Sequence, residues 1–332
     1  MEETMRAVVL DGPGPADRLH LRVLPMPDPP PGWVRIAVRA FGLNRSELHT
    51  RLGLAQGVTF PRVLGIEAVG VVDHDPDSAW TVGQQVATMM GGMGRSYDGG
   101  YAEYTVVPRA QVIPFRSTLP WEVIGAVPET LQTAYGSLTT GLDLQRGHTL
   151  LIRGGTSALG LAATALAKDI GATVLATTRN AARTTALREH GVDHPLVDDG
   201  AVAEQVRELV PQGVDAALEL VGTPTLPDTL AATRVHGTVC FTGMLSNQWT
   251  VKEFYPIGYL PRGVRLTAYA GEAGDLPADV LQRTLDRIAS GELSLGPVHV
   301  YAFDDVTTAH QDLEEGRRAG KLVVRVRGDA AP

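Results

Sequence analysis

The sequence predicts an α/β chain with a β-rich first part and a doubly wound parallel sheet in its second. Three observations predict this. The first is the stretch Leu150-Leu151-Ile152-Arg153-Gly154-Gly155-Thr156-Ser157-Ala158-Leu159-Gly160, where an apolar run ends abruptly in glycine and a helical pattern begins around Ala158. The second is the alternation of apolar strands and helical segments after it, which implies a parallel sheet with right-handed crossovers. The third is the segment before it, where short strands separated by Gly and Pro indicate a largely antiparallel β region.

Taken in order, residues 6–10 are a strand broken by Gly12-Pro13-Gly14-Pro15, and residues 19–23 a second strand. Residues 25–32 hold five prolines and read as an extended surface connection. Strands follow at 33–40, 69–72, 85–89 and 101–107, and the change to βαβ alternation is expected near Trp121. The second part reads as strand 150–152, helix 161–170 closed by Gly171, strand 173–177, helix 180–190 ended by Gly191, and strand 195–197. It continues with helix 201–210 and strands 215–220, 239–241 and 265–269. A tail of helix 277–290, strand 298–303, helix 306–319 and strand 322–326 is expected to fold back onto the first part. The expected domains are therefore 1–120 completed by 272–332, and 121–271.

A strand that delivers the chain to a tight turn and a helix N-terminus is what a dinucleotide pyrophosphate needs. The spacing is Gly155-x-Ser157-x-x-Gly160. Gly155 is expected to make the tight turn and Gly160 to let the helix pack closely on the strand. Ser157 is expected to allow close backbone approach and to donate its hydroxyl to a phosphate. The second strand ends at Thr177-Thr178-Arg179-Asn180, about 24 residues after Gly155, where NAD enzymes place an acid on the ribose. Here no acid stands. Arg179, helped by Arg183 one turn on, can pair with a 2′-phosphate, because the guanidinium fork matches phosphate oxygens. The expected cofactor is NADPH.

The chain has 332 residues, 44% hydrophobic and 20% charged, with a net charge of −8, which argues against nucleic-acid or anionic-membrane binding. Its one cysteine, Cys240, lies in an apolar strand and reads as a small buried hydrophobe in a reducing compartment. The start lacks the pattern of a signal peptide, and no apolar run approaches the roughly 20 residues of a membrane span. A cytoplasmic location is expected.

Phe41-Gly42-Leu43-Asn44, Leu64-Gly65-Ile66-Glu67-Ala68-Val69-Gly70, Asp98-Gly99-Gly100-Tyr101-Ala102-Glu103-Tyr104, the Gly155 turn and Gly320-Lys321 together resemble the medium-chain dehydrogenase/reductase superfamily. Over nearly the whole chain the resemblance is to its zinc-free quinone oxidoreductase branch. It implies a GroES-like β domain completed by the C-terminal segment, a Rossmann cofactor domain, and a homodimer. It also implies a cleft between domains where substrate meets nicotinamide. Thr133, Thr156, Ala158 and Leu159 are implied as cofactor positions, as are Thr178, Val221, Gly243 and Lys321.

Zinc-dependent members place cysteine, histidine and cysteine where this chain has Asn44, Ile66 and Glu129. Ile66 has no lone pair and Asn44 is a poor zinc ligand, so no metal is expected. Without a Lewis acid, alcohol oxidation lacks its usual means of stabilising alkoxide, whereas reduction of a quinone or activated C=C bond needs none. The resemblance puts Asn44 beside the nicotinamide, where its amide can donate to a substrate carbonyl as charge grows there. His49 and Tyr135 are the candidate proton donors. Many relatives carry tyrosine at the His49 position. Glu67 reads as structural, paired with a buried base such as Lys321, and Arg51 as solvated. The loop Met89-Met90-Gly91-Gly92-Met93-Gly94 reads as an adaptable wall or as packing.

These readings point to NADPH-dependent reduction of quinones, enones or enals by direct hydride transfer. An enoyl-thioester or tailoring reductase is the alternative on the same scaffold, with Arg51, Arg95 or Arg262 meeting a phosphopantetheine arm. A non-catalytic NADPH-binding protein is the alternative of another class. Whether any enone or quinone makes the protein consume NADPH separates the two.

Overall fold

The computed structural model describes residues 3–326. The chain divides into two compact units. The first comprises the chain up to Glu129, Glu272–Leu293 and the segment from Pro297; the second comprises Thr130–Gly271 and Ser294–Gly296.

The first unit begins with β1 (Thr4–Leu10), β2 (Leu19–Pro25), β3 (Trp33–Gly42), α1 (Arg45–Arg51), β4 (Arg62–Val63) and β5 (Glu67–His74). It continues through β6 (Gln85–Met89), β7 (Tyr104–Pro108), β8 (Val112–Pro114) and α2 (Trp121–Ile124). Strand β3 is its spine. Val34, Ile36, Val38, Ala40 and Phe41 are fully buried, and the strand pairs antiparallel with β5 on one edge and with β7 on the other. The segment expected as a strand from Tyr101 begins its ladder only at Tyr104. Residues before it are held crosswise, with the Tyr101 carbonyl accepting from Val8 N–H and its own N–H donating to Leu64.

Helix α3 (Pro128–Gly136) runs through the division at Glu129 and continues as a π turn over Ser137–Gly141. The division falls nine residues later than the change of pattern at Trp121 suggested, because α2 packs on β3 and stays with the first unit.

The second unit then carries β9 (Thr149–Arg153), α4 (Ala158–Ile170), β10 (Thr173–Thr178), α5 (Thr184–Glu189), β11 (His194–Val197) and α6 (Val202–Leu209). After these come β12 (Val214–Glu219), α7 (Leu226–Ala232), β13 (Thr233–Phe241), α8 (Pro256–Tyr259) and β14 (Arg265–Ala268). All six strands are parallel, in the order β11-β10-β9-β12-β13-β14. Successive residues of β9 face opposite cores. Leu150 and Ile152 pack with α4, while Leu151 packs with α6 and α7, so the strand must be apolar on both faces. The connection order reverses between β9 and β12, and a sheet of this kind holds its ligand outside the strand ends at that point.

The tail returns to the first unit as α9 (Ala278–Ala289), β15 (Val298–Ala302), α10 (Val306–Glu315) and β16 (Lys321–Arg325). Strand β16 pairs antiparallel with the end of β3, Val323 opposite Gly42. Helix α10 is shorter than the expected 306–319, because Gly316 turns left-handed at φ 63° and caps it. The expected helix 180–190 is a 3₁₀ turn, Ala181–Arg183, followed by α5. Helices α1, α2, α3, α7 and α8 were not expected, and all but α3 are too short to show helical periodicity. Among the described residues no helix is long and apolar enough to cross a membrane.

The start of α4 sets a test of this architecture. A Cβ on Gly160 would lie 2.7 Å from the Gly154 carbonyl oxygen and 2.8 Å from Gly155 Cα, both backbone atoms that cannot move aside. Gly160→Val is expected to lose about 2–3 kcal/mol of stability, seen as a lower melting temperature. A melting temperature equal to the parent's would show that α4 can lift off the turn at no cost.

Candidate functional site

The glycine turn after β9 is built differently from its sequence reading in two respects. Gly154, not Gly155, takes the left-handed conformation, at φ 89°. Gly155 is required for space instead, since a Cβ there would lie 2.7 Å from the Ala176 Cβ on β10. Ser157 is the N-cap of α4. Its Oγ accepts from Gly160 N–H at 3.1 Å and donates to the Gly154 carbonyl at 2.9 Å. The hydroxyl hydrogen is thus used inside the turn, which corrects the expectation that it donates to a phosphate. The N–H groups of Ala158 and Leu159 are those a helix start leaves open. Thr156, Ser157, Ala158 and Leu159 are all half-buried, so the turn is reachable, and a helix start of this kind is suited to an anionic group.

Beside it, β10 ends at Thr178, whose Oγ1 accepts from Asn180 N–H at 3.2 Å. Arg179 is exposed and Arg183 half-buried at the end of the 3₁₀ turn; among the described residues neither guanidinium has a carboxylate partner. On the other side of the reversal, Glu219 ends β12 fully buried. It collects N–H groups from Val221 (2.7 Å) and Gly222 (3.0 Å) and the hydroxyls of Thr225 and Thr229. Burial raises its carboxyl above the usual range, and the four donors offset part of that. Gly243 N–H donates to the Glu219 carbonyl at 3.0 Å, so the loops after β12 and β13 are tied to one residue. The expected cofactor positions Gly155, Gly160, Thr178, Val221 and Gly243 therefore follow or close the C-terminal ends of neighbouring strands of one sheet. Thr133, also in the second unit, is buried on α3.

The first unit holds a second cluster. Lys321 Nζ is 2.8 Å from Glu67 Oε1 and 3.4 Å from Glu129 Oε2, and it donates to Asn44 Oδ1. Asn44 Nδ2 donates to Glu67 Oε1 at 3.0 Å, and Glu67 Oε2 accepts from Glu129 N–H at 3.0 Å. An ammonium can only donate and an ionised carboxylate can only accept, so the orientation of the Asn44 amide is fixed and one Nδ2 hydrogen remains for a further acceptor. Burial opposes charge on Lys321, but Glu67 and Glu129 outweigh it and hold the ammonium above the usual lysine range. All three Lys321 hydrogens have acceptors inside this cluster. The expected pairing with Glu67 is therefore present, while the expected role of Lys321 as a cofactor contact is corrected.

The same cluster tests the zinc site that the superfamily suggests. Ile66 offers no donor at the middle position, and the Lys321 ammonium lies among Asn44, Glu67 and Glu129 where a second cation would be repelled. The residues present do not fit zinc. Among the described residues no group of three or more His, Cys, Asp and Glu side chains is placed to hold a metal.

His49 is buried on α1, and Tyr135 is half-buried on α3. Arg51 is neither solvated nor open to substrate. It is fully buried, donates to the Gly14 carbonyl at 2.7 Å and pairs with Glu314. Met89 and Met93 are fully buried, so the Met-rich loop is mainly packing.

Two residues of the site region escaped the sequence reading. Arg153 could have been noticed as a charge closing an apolar strand. Glu47 could have been found from Asn44-x-x-Glu47, a capping-box spacing. Its carboxylate accepts from Asn44 N–H at 3.0 Å and from Ile66 N–H at 2.8 Å. Burial pushes its carboxyl up to about 7, against the pull of the Ile66 N–H.

Folded Glu47 keeps its proton to about pH 7, whereas the unfolded residue releases it near 4.5. The folded state then binds more protons between those values, so this contribution is complete below the lower value and is lost as pH rises through the upper. The expected loss across the window is about 3 kcal/mol. Denaturant melts of the parent and of Glu47→Gln at pH 5 and pH 8 read it, and the variant should lack this component of the slope. Identical slopes would assign the proton elsewhere.

Residues 30–117 match the alcohol dehydrogenase GroES-like domain, and residues 190–324 match the zinc-binding dehydrogenase family. Prostaglandin reductase-3 of Bos taurus is 30% identical over 268 residues, covering 79% of this chain and 65% of that protein. The putative quinone oxidoreductase YhfP of Bacillus subtilis (strain 168) is 25% identical over 325 residues, 93% of this chain and 94% of its own. The solved structure of mycobacterial Rv1454c complexed with NADPH superposes with a TM-score of 0.84 at 26% identity, covering 97% of this chain and 100% of that one. A GroES-like domain, a six-stranded parallel sheet with a glycine turn at its reversal, and these relatives agree: the chain is an oxidoreductase of the medium-chain dehydrogenase/reductase superfamily, of the quinone oxidoreductase-like kind.

Proposed function

We propose that the chain is an NADPH-dependent reductase of quinones or activated C=C bonds that works by direct hydride transfer without a metal. The observation that carries this reading is the end of β10, where two arginines without carboxylate partners among the described residues stand in place of a ribose-binding acid. Bound NADPH supplies the hydride. The open N–H groups at the start of α4 receive the pyrophosphate, and Arg179 with Arg183 hold the 2′-phosphate. The remaining Nδ2 hydrogen of Asn44 donates to the substrate carbonyl oxygen as negative charge grows there, and the fixed amide needs no reorganisation to do so. His49 or Tyr135 delivers the proton. The thioester alternative loses one of its three basic residues, since Arg51 is buried and paired. A homodimer belongs to the same reading, supported by β14 as an edge strand of the parallel sheet.

The test is NADPH consumption by the purified protein with quinones, enones, enals and enoyl thioesters as acceptors. Turnover with a quinone or enone is expected. Consumption with none of them would leave a non-catalytic NADPH-binding protein as the better reading. Arg179→Ala is expected to weaken NADPH by about 1.5–3 kcal/mol more than NADH, the worth of a charge-assisted contact. Equal losses for the two cofactors would mean that Arg179 does not read the phosphate.

A further inference from the structure

Arg153 is a fully buried arginine that closes β9 after three apolar residues, directly before the glycine turn. Each of its three nitrogens has an acceptor. Nε and Nη2 grip the two oxygens of Asp198 at 2.6 and 2.8 Å, and Nη1 reaches Asp228 at 2.5 Å. A buried ion pair of this kind is weak evidence for stability, because apolar side chains of similar volume often serve a fold as well. Its placement suggests a different use. In the β10–β11 register Thr178 lies opposite Val197, and one step outward Asp198 N–H donates to the Thr178 carbonyl at 2.9 Å. Asp198 is thus the register neighbour of Arg179, the exposed guanidinium without a carboxylate partner. A free carboxylate there would pair with Arg179 and compete with any phosphate for it.

We infer that Arg153 is a positioning residue that holds Asp198 away from Arg179 and so keeps Arg179 open to the cofactor's 2′-phosphate, an inference that rests on the NADPH reading. Asp228 does not depend on Arg153 in the same way, because its carboxylate also accepts Val202 N–H at 3.0 Å and Ala203 N–H at 3.2 Å. Among the described residues the Asp198 carboxylate has, besides Arg153, only the Gly200 N–H at 3.2 Å. Removing Arg153 therefore frees Asp198 in particular.

The experiment measures NADPH and NADH affinities by fluorescence titration for the parent, Arg153→Met, Asp198→Asn and the double variant. Arg153→Met is expected to lose about tenfold more affinity for NADPH than for NADH, by competition from the freed carboxylate. The added Asp198→Asn should restore the parent's ratio, and Asp198→Asn alone should leave it unchanged. Rescue is the reading that a merely structural role would not produce. Should Arg153→Met fail to fold, Arg153→Lys keeps the charge but not the fork; its ratio should fall about threefold and recover with Asp198→Asn. A ratio that survives either Arg153 substitution, or one that Asp198→Asn does not restore, overturns the inference alone. A parent with no preference for NADPH overturns the cofactor reading and this inference with it.

Discussion

A lysine ammonium buried among carboxylates ties the end of the chain to its beginning. Lys321 lies at the start of β16, and its partners Asn44, Glu67 and Glu129 come from the start of α1, the start of β5 and the first turn of α3. Each of these groups would be costly to bury alone, and removing one partner of such a pair typically costs about 3–5 kcal/mol. The β16–β3 ladder brings Lys321 to this place, and Leu43 N–H donating to Leu322 reinforces it. The first unit is therefore closed by a segment that follows the whole of the second unit in sequence. The amide of Asn44 inherits its orientation from that closure.

The second unit handles charge by a related principle at its strand ends. Central strands β9 and β12 run apolar over residues 150–152 and 216–218 and then end at Arg153 and Glu219, which are buried and charged. Parallel strands end where loops and helix starts leave N–H groups unpaired, so a carboxylate there finds donors without leaving the protein. Glu219 uses the N–H groups of its own loop, and Asp228 uses those at the start of α6. The same supply of open N–H groups makes this edge suited to an anionic cofactor. Structural carboxylates and the phosphates of the proposed cofactor would draw on the same kind of donor.

The sequence by itself determined the order of the strands in the second unit, the helices that follow its first three strands, and the position of its turn. Those features are local: an apolar run of β9, a glycine pair and the periodic α4 are contiguous, and neighbouring residues decide them. The pairing of Glu67 with Lys321 was also legible, because an acid in an apolar block needs a base. Short helices were not, since α1 at seven residues shows too little periodicity to separate from a loop.

Only the tertiary structure decided how the polar atoms are used. Ser157 looked like a phosphate donor until the Gly154 carbonyl came within reach of its hydroxyl. Arg51 read as solvated until Gly14 and Glu314, the latter 263 residues away, enclosed it. Lys321 read as a cofactor contact until Asn44, 277 residues earlier, took one of its hydrogens. A hydrogen bond depends on where an acceptor lies to within a fraction of an ångström, and acceptors brought in by distant strands leave no mark in the local pattern.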